Sequence, residues 1–262
     1  MRIASLLQER LRAIRAAEGK TPIDVRILDL CTGSGCIAIL LAHRLHQLSD
    51  TSYFDALRWQ VIGTDISPVA LNLAAQNARL MNLPTDSIHF HHADIFVDQE
   101  INPIFTLAFG RNSTPEADLP DPIQLNMVVS NPPYLTPSDY VSSSPADIDI
   151  SVREWEDKRA LVGVHPSHLD TQTSDHKDDS DKAGLAFYHR INALVARHAN
   201  LLPQSATLPR LVLEVGHRGQ AQQVATIFNG VLPPCSSDRS SPSIAAQIRK
   251  DAWGVDRVVE AY

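Results

Sequence analysis

Residues 25–35 read Val-Arg-Ile-Leu-Asp-Leu-Cys-Thr-Gly-Ser-Gly. Val25 to Leu30 is a short apolar run between Pro22 and a glycine-containing turn, the pattern of a buried parallel strand. Gly33 and Gly35 let the backbone approach a ligand that a Cβ would exclude. The spacing Gly33-x-Gly35-x-x-Ala38 fits a dinucleotide fingerprint, and it also fits a plain tight turn into a helix. A helix from about Cys36 to Gln47 follows, and then the unit repeats. Trp59 to Thr64 predicts a second strand ending at Asp65, with Ser67 as N-cap and Pro68 in the first turn of a helix through Leu80.

Working outward, Ser87–His92 and Leu125–Ser130 read as the third and fourth strands. Between them, residues 102–122 are rich in Pro, Asn and Asp and read as an insertion or loop. Residues 167–182 have too little apolar surface to order themselves and are expected to be disordered. A helix over 184–200, a strand over 211–215 and a helix over 219–228 come next. Residues 244–250 and 256–261, with Trp253-Gly254 between, have the form of a terminal hairpin. At the other end, Ile3, Leu6, Leu7, Leu11 and Ile14 lie at helical spacing. This organisation is an N-terminal helix over 1–20 and an α/β domain over 21–262. The domain is a doubly wound, mostly parallel sheet with an antiparallel edge strand.

Composition sets bounds. The chain has 262 residues, 44% of them hydrophobic, enough for a full α/β core. Twenty-three basic against 30 acidic side chains leave a net charge of -7, which gives no electrostatic reason to expect general nucleic-acid binding. Cys31, Cys36 and Cys235 form no CxxC pair and no metal-ligand spacing, so neither a disulfide framework nor a metal is expected. No apolar stretch approaches the length of a membrane span. The arginines of the first helix permit a transit-peptide reading, against which Glu9 and Glu18 count.

In a doubly wound sheet the ligand lies beyond the carboxyl ends of the strands, where strand order reverses. The residues with chemistry follow strands. Asp65 suits an acceptor for two ribose hydroxyls, although helix capping explains it equally well. Asp94 could accept from an adenine amino group, with Ile95 or Phe96 against the ring face. The decisive element is Asn131-Pro132-Pro133-Tyr134, directly after an apolar strand. Its two prolines remove two backbone donors, so carbonyls and the Asn131 amide are what remain to bind. An NH2 group held by the Asn131 oxygen and the Pro132 carbonyl would have its lone pair aimed at an electrophilic carbon, a positioning effect that needs no strong base. Tyr134 would wall the planar substrate. The bland alternative is an ordinary proline-rich turn. His89, His91 and His92 lack ligand partners and read as strand histidines, Glu214 braces or caps a neighbour, and Glu156 either positions substrate or makes a surface salt bridge.

These blocks, together with VREWEDKRALVG, GLAFYHRI, LVLEVGHRGQ and KDAWGVDRVVE, resemble in order those of the HemK/PrmC family of protein-glutamine N5-methyltransferases. The resemblance implies a class I methyltransferase fold with a Rossmann-like seven-stranded sheet whose C-terminal strand is antiparallel. It implies S-adenosylmethionine as cofactor and S-adenosylhomocysteine as product. Asp29, Cys31, Thr32, Gly33, Ser34, Gly35, Asp65, Asp94, Ile95 and Asn131 would be cofactor contacts, and Asn131, Pro132, Pro133 and Tyr134 would hold the substrate amide. The implied partner is a class I peptide-chain release factor, methylated in its Gly-Gly-Gln motif, in a mitochondrion or else the cytoplasm. The sequence departs from the family at Cys31, often Gly, at Ile95, often near an aromatic residue, and at Asp157, where a proline usually follows the glutamate matched by Glu156. The helix over 1–20 resembles the segment after the family's linker, so the usual small docking domain is not expected here. Two rivals stay open: methylation of adenine amines, which share the planar NH2, and a non-catalytic cofactor-binding partner subunit. Salt-dependent nucleic-acid affinity would favour the first, and donor binding without turnover the second.

Overall fold

The structure, a computed structural model, describes residues 2–19, 21–110, 122–142, 149–169, 179, 183–202, 208–229 and 246–262. Its elements are α1 (Arg2–Glu18), β1 (Ile23–Leu30), α2 (Cys36–Ser49), β2 (Leu57–Asp65), α3 (Pro68–Leu80), β3 (Ile88–His92), α4 (Asp98–Phe109), β4 (Ile123–Ser130), α5 (Pro137–Val141), α6 (Ile150–Trp155), α7 (Lys158–Leu161), α8 (Ala186–Arg197), β5 (Leu211–Glu214), α9 (Arg218–Phe228), β6 (Gln247–Lys250) and β7 (Asp256–Ala261). The strands form one sheet in the order β3-β2-β1-β4-β5-β7-β6.

Both faces of the sheet are covered, which explains the near-continuous apolar run of β1. Successive side chains alternate between faces. Val25 and Ile27 join Leu7 and Leu11 of α1 and Leu41 and Leu45 of α2 in one core. Leu28 and Leu30 join Phe105 of α4, Tyr188 and Ile191 of α8, and Val224 of α9 in the other. The register then sets the site. Leu30 lies opposite Thr64 on β2 and Ser130 on β4, so these three parallel strands end level with one another. The chain leaves β1 toward β2 on one side and reaches β4 on the other, which makes the β1/β4 boundary the point of reversed strand order.

Three expectations need correction or restriction. The stretch read as a loop from residue 102 is helical to Phe109, because Ile101, Ile104, Phe105, Ala108 and Phe109 recur at helical spacing and all are buried. This burial outweighs Pro103, which is exposed on the helix. Residues 111–121, 170–178 and 180–182 lie outside the described residues, so the rest of both polar segments is untouched, but 166–168 form a 3-10 turn. Lastly, β7 is antiparallel but is not the edge. It pairs with β5 on one side and β6 on the other, leaving β6 outermost.

Candidate active site

The loop after β1 is a backbone device. Cys31, Gly33 and Gly35 all have positive φ, at 58°, 56° and 83°, and the turn is closed by Gly35 N–H donating to the Thr32 carbonyl at 2.9 Å. Asp29 is fully buried beneath it, and its Oδ2 accepts from the Thr32 hydroxyl at 2.8 Å and from Ala38 N–H at 3.1 Å. Burial raises the pKa of the Asp29 carboxyl to about 7, and its Oδ1 is enclosed with no hydrogen-bond partner among the described residues. A Cβ on Gly33 would meet nothing within 4 Å, so this glycine presents an open backbone face.

Asp65 ends β2 and ties two elements to the loop. Its Oδ2 accepts from Gly33 N–H and its Oδ1 from Ser67 N–H, both at 2.9 Å. Each oxygen keeps a further lone pair for a ligand. Asp65 is not the helix cap, since Ser67 caps α3 through Ala70 N–H. After β3, Asp94 Oδ1 accepts from Phe96 N–H at 2.8 Å, while the Arg190 guanidinium holds the Ile95 carbonyl and pairs with Asp98. Arg190 and Arg197 together hold the Asp98 carboxyl below its ordinary range.

Ser130 anchors the end of β4 by donating to the Leu30 carbonyl at 2.7 Å. The next residue, Asn131, is exposed, and its amide makes no hydrogen bond among the described residues, whereas Pro132 and Pro133 are buried. Beyond them, Tyr134 N–H and Leu135 N–H both donate to the Leu161 carbonyl, at 3.1 and 2.9 Å, and Gly163 N–H returns to the Leu135 carbonyl. The tyrosine is half-buried. It packs over Gly216, and its hydroxyl lies with Glu214 and Arg257, so burial first and then Glu214 raise its pKa. Tyr134 does not line the cavity that its neighbours Asn131 and Pro133 line.

One cavity of about 470 Å³ gathers these groups. Cys31, Thr32, Gly33, Ser34, Asp65, Asp94, Ile95, Asn131 and Pro133 line it, and Asp29, Gly35, Pro132 and Tyr134 adjoin these in sequence without lining it. Sequence reasoning missed Ile66, Phe187, Pro166 and Leu169, which complete the apolar lining. Only the GLAFYHRI block, which contains Phe187, offered a signal. Among the described residues, Asp65, Asp94, Glu156 and Asp157 face the cavity with a single guanidinium, Arg159, which holds the Asp157 carboxyl below its usual range through their hydrogen bonds. The arrangement suits a ligand with hydroxyls, a flat ring and positive charge.

The strand order, the level ends of β1, β2 and β4, and an acceptor loop facing a glycine loop across one cavity define a class I methyltransferase fold. The family model described as N-6 DNA Methylase matches residues 3–166, and the chain belongs to that family. Among curated relatives, it is 25% identical over 242 residues to the "Probable MRF1 mitochondrial N(5)-glutamine methyltransferase mtq1" of Schizosaccharomyces pombe, covering 90% of this chain and 58% of that protein. It is 33% identical over 141 residues to the ribosomal protein uL3 glutamine methyltransferase of Xanthomonas campestris, covering 52% of this chain and 34% of that one. It is 25% identical over 236 residues to the release factor glutamine methyltransferase of Lactococcus lactis, covering 90% and 60%. The chain thus spans less than two thirds of the length of these relatives, and they bear out the resemblance to glutamine methyltransferases. No helix among the described residues is long and apolar enough to cross a membrane.

Proposed function

We propose that this domain binds S-adenosylmethionine and methylates the side-chain nitrogen of a protein glutamine, in the Gly-Gly-Gln motif of a class I release factor. The observation that carries the reading is the position of Asn131. Its unengaged amide stands at the carboxyl end of β4, on the wall of the cavity that Gly33 and Asp65 also line.

The residues present fit the donor. Gly33 offers a bare backbone, Asp65 keeps lone pairs for ribose hydroxyls, Asp94 Oδ2 is left for an amino group, and Ile95 supplies an apolar face. The four carboxylates offset a sulfonium charge. When bound, the donor supplies an electrophilic methyl carbon on a cationic sulfur. Everything else is positioning by the chain. Asn131 Oδ1 and the Pro132 carbonyl accept from the glutamine NH2 and orient its lone pair, while the prolines bring no N–H to compete. The proton becomes acidic after transfer and leaves to solvent, so no strong base is required.

The release-factor substrate rests on the resemblance and on the Lactococcus relative, and residence in mitochondria on the name of the yeast relative. Adenine amines would satisfy the same acceptors, and the family's description points to them; the net charge of -7 opposes a polyanionic substrate. The test is incubation with labelled donor and either a release factor or nucleic acid, followed by mass spectrometry. One labelled methyl on the Gly-Gly-Gln glutamine is expected. Label on adenine, or on neither, overturns the reading.

A further inference from the structure

Behind the Asn131–Tyr134 loop, three backbone segments meet at unusually short range. A Cβ on Gly184, whose φ is +66°, would fall 2.4 Å from the Tyr134 carbonyl oxygen. A Cβ on Gly163 would fall 2.7 Å from the Gly184 oxygen and 2.8 Å from the Pro133 oxygen. The loop therefore packs so closely against Gly163 and Gly184 that a side chain at either would collide with its carbonyls, and buried carbonyls of this kind need a donor.

That donor is a side chain from α9. Gln220 is 1% exposed, and its Nε2 donates to the Tyr134 carbonyl at 2.9 Å, with the Gly184 and Ala183 carbonyls at 3.3 and 3.5 Å. Its Oε1 accepts at 2.8 Å from the N–H of Gly216, the glycine over which the Tyr134 ring packs. Both ends of the amide are used, and each fixes a different segment. A carboxylate of the same shape has no donor, and an aliphatic side chain has neither function.

We infer that Gln220 is a positioning residue for methyl transfer: by clamping the Tyr134 carbonyl to residues 183–184 and 216, it fixes the direction in which the Asn131–Tyr134 loop presents its acceptors. The inference rests on the assignment of that loop as the acceptor site. Gln220 touches neither donor nor acceptor substrate, because it lies outside the cavity lining. Its loss therefore acts on turnover through loop geometry and leaves donor affinity alone.

The clamp is tested with Gln220→Glu and Gln220→Leu in the full chain. Gln220→Leu is expected to lower kcat about a hundred-fold, the effect of an ångström-scale misplacement, with the dissociation constant of S-adenosylhomocysteine by calorimetry within two-fold of the parent. Gln220→Glu is expected to regain turnover as pH falls, because its protonated carboxyl donates to the Tyr134 carbonyl and its carboxylate does not. The groups around the loop, Tyr134, Glu156, Tyr188, Glu214, His217 and Arg257, are the same in parent and variant, so a pH step present only in the variant belongs to residue 220. Hydrogen exchange at the Tyr134 and Leu135 amides needs no methyl acceptor, and it should quicken in Gln220→Leu and, at high pH, in Gln220→Glu. If the parent methylates no glutamine, the substrate assignment fails while exchange still decides the clamp. Parent-like exchange at both amides, or a loss of turnover in Gln220→Glu that is equal at every pH, overturns the inference.

Discussion

Gly33 N–H donates to Asp65 Oδ2 at 2.9 Å, joining the turn after β1 to the end of β2 across the cavity floor. The two strands thus deliver one rigid unit rather than two independent ligand contacts. Asp65→Ala removes a charged acceptor from the donor and releases the loop at once. Loss of a hydrogen bond to a charged group is worth about 1.5–3 kcal/mol, so calorimetry should show donor binding weakened by roughly ten- to hundred-fold. Unchanged affinity would remove Asp65 from the donor site.

Asn131→Ala separates binding from chemistry. The Asn131 amide makes no contact that holds the fold together among the described residues, so stability should match the parent and donor binding stay largely intact, while turnover falls by about a hundred-fold or more. Equal turnover by variant and parent would defeat the assigned mechanism.

The buried carboxyl of Asp29 makes stability depend on pH in the direction opposite to a salt-bridged aspartate. Its pKa is about 7 in the folded chain against an ordinary 3.8. Below about pH 4 both folded and unfolded chains hold the proton, and between there and about pH 7 only the folded chain does. The stabilisation from this group is therefore complete in acid and lost as pH climbs through 7, by up to about 4 kcal/mol. Asp29→Asn should abolish that loss. Urea midpoints for variant and parent should diverge from pH 4 to pH 7 and run parallel above it.

Pro103 sits in the interior of α4 on its exposed side, where it removes a helix hydrogen bond. Pro103→Ala should raise stability in urea by about 1–3 kcal/mol and leave turnover unchanged, because Pro103 is exposed and no residue of α4 lines the cavity. A destabilised variant would show that the proline shapes the helix rather than burdens it.

How legible was all this in the sequence? The strands of the parallel half and the helices between them follow from period and caps, and Ser67-Pro68 begins α3 as expected. The α4 helix is hidden by its composition: Asn102 and Pro103 read as loop residues although Ile101, Ile104 and Phe105 hold a helical face. The place of β7 inside the sheet was not legible, since pairing partners are a non-local property and a hairpin looks alike at an edge or one strand in.

Of the site, the residues at strand ends were readable because topology puts them together. The facing of Tyr134 was not. An Asn-Pro-Pro-Tyr string shows that an aromatic ring is near, but the direction of that ring is set by Gly216 and Arg257, some eighty residues or more away in sequence. Gln220 was likewise visible only as one letter of a block, because its meaning lies in four backbone groups supplied by three other segments.

The slot that β7 occupies has a bearing on biogenesis. A nascent chain that has made β1 through β5 holds β5 with one flank bare, and β6 emerges before the strand that joins it to the sheet. Ribosomal synthesis must release residues 256–261 before that flank is sealed, so this domain finishes folding late and in the interval exposes an open β-edge of the kind that chaperones shield.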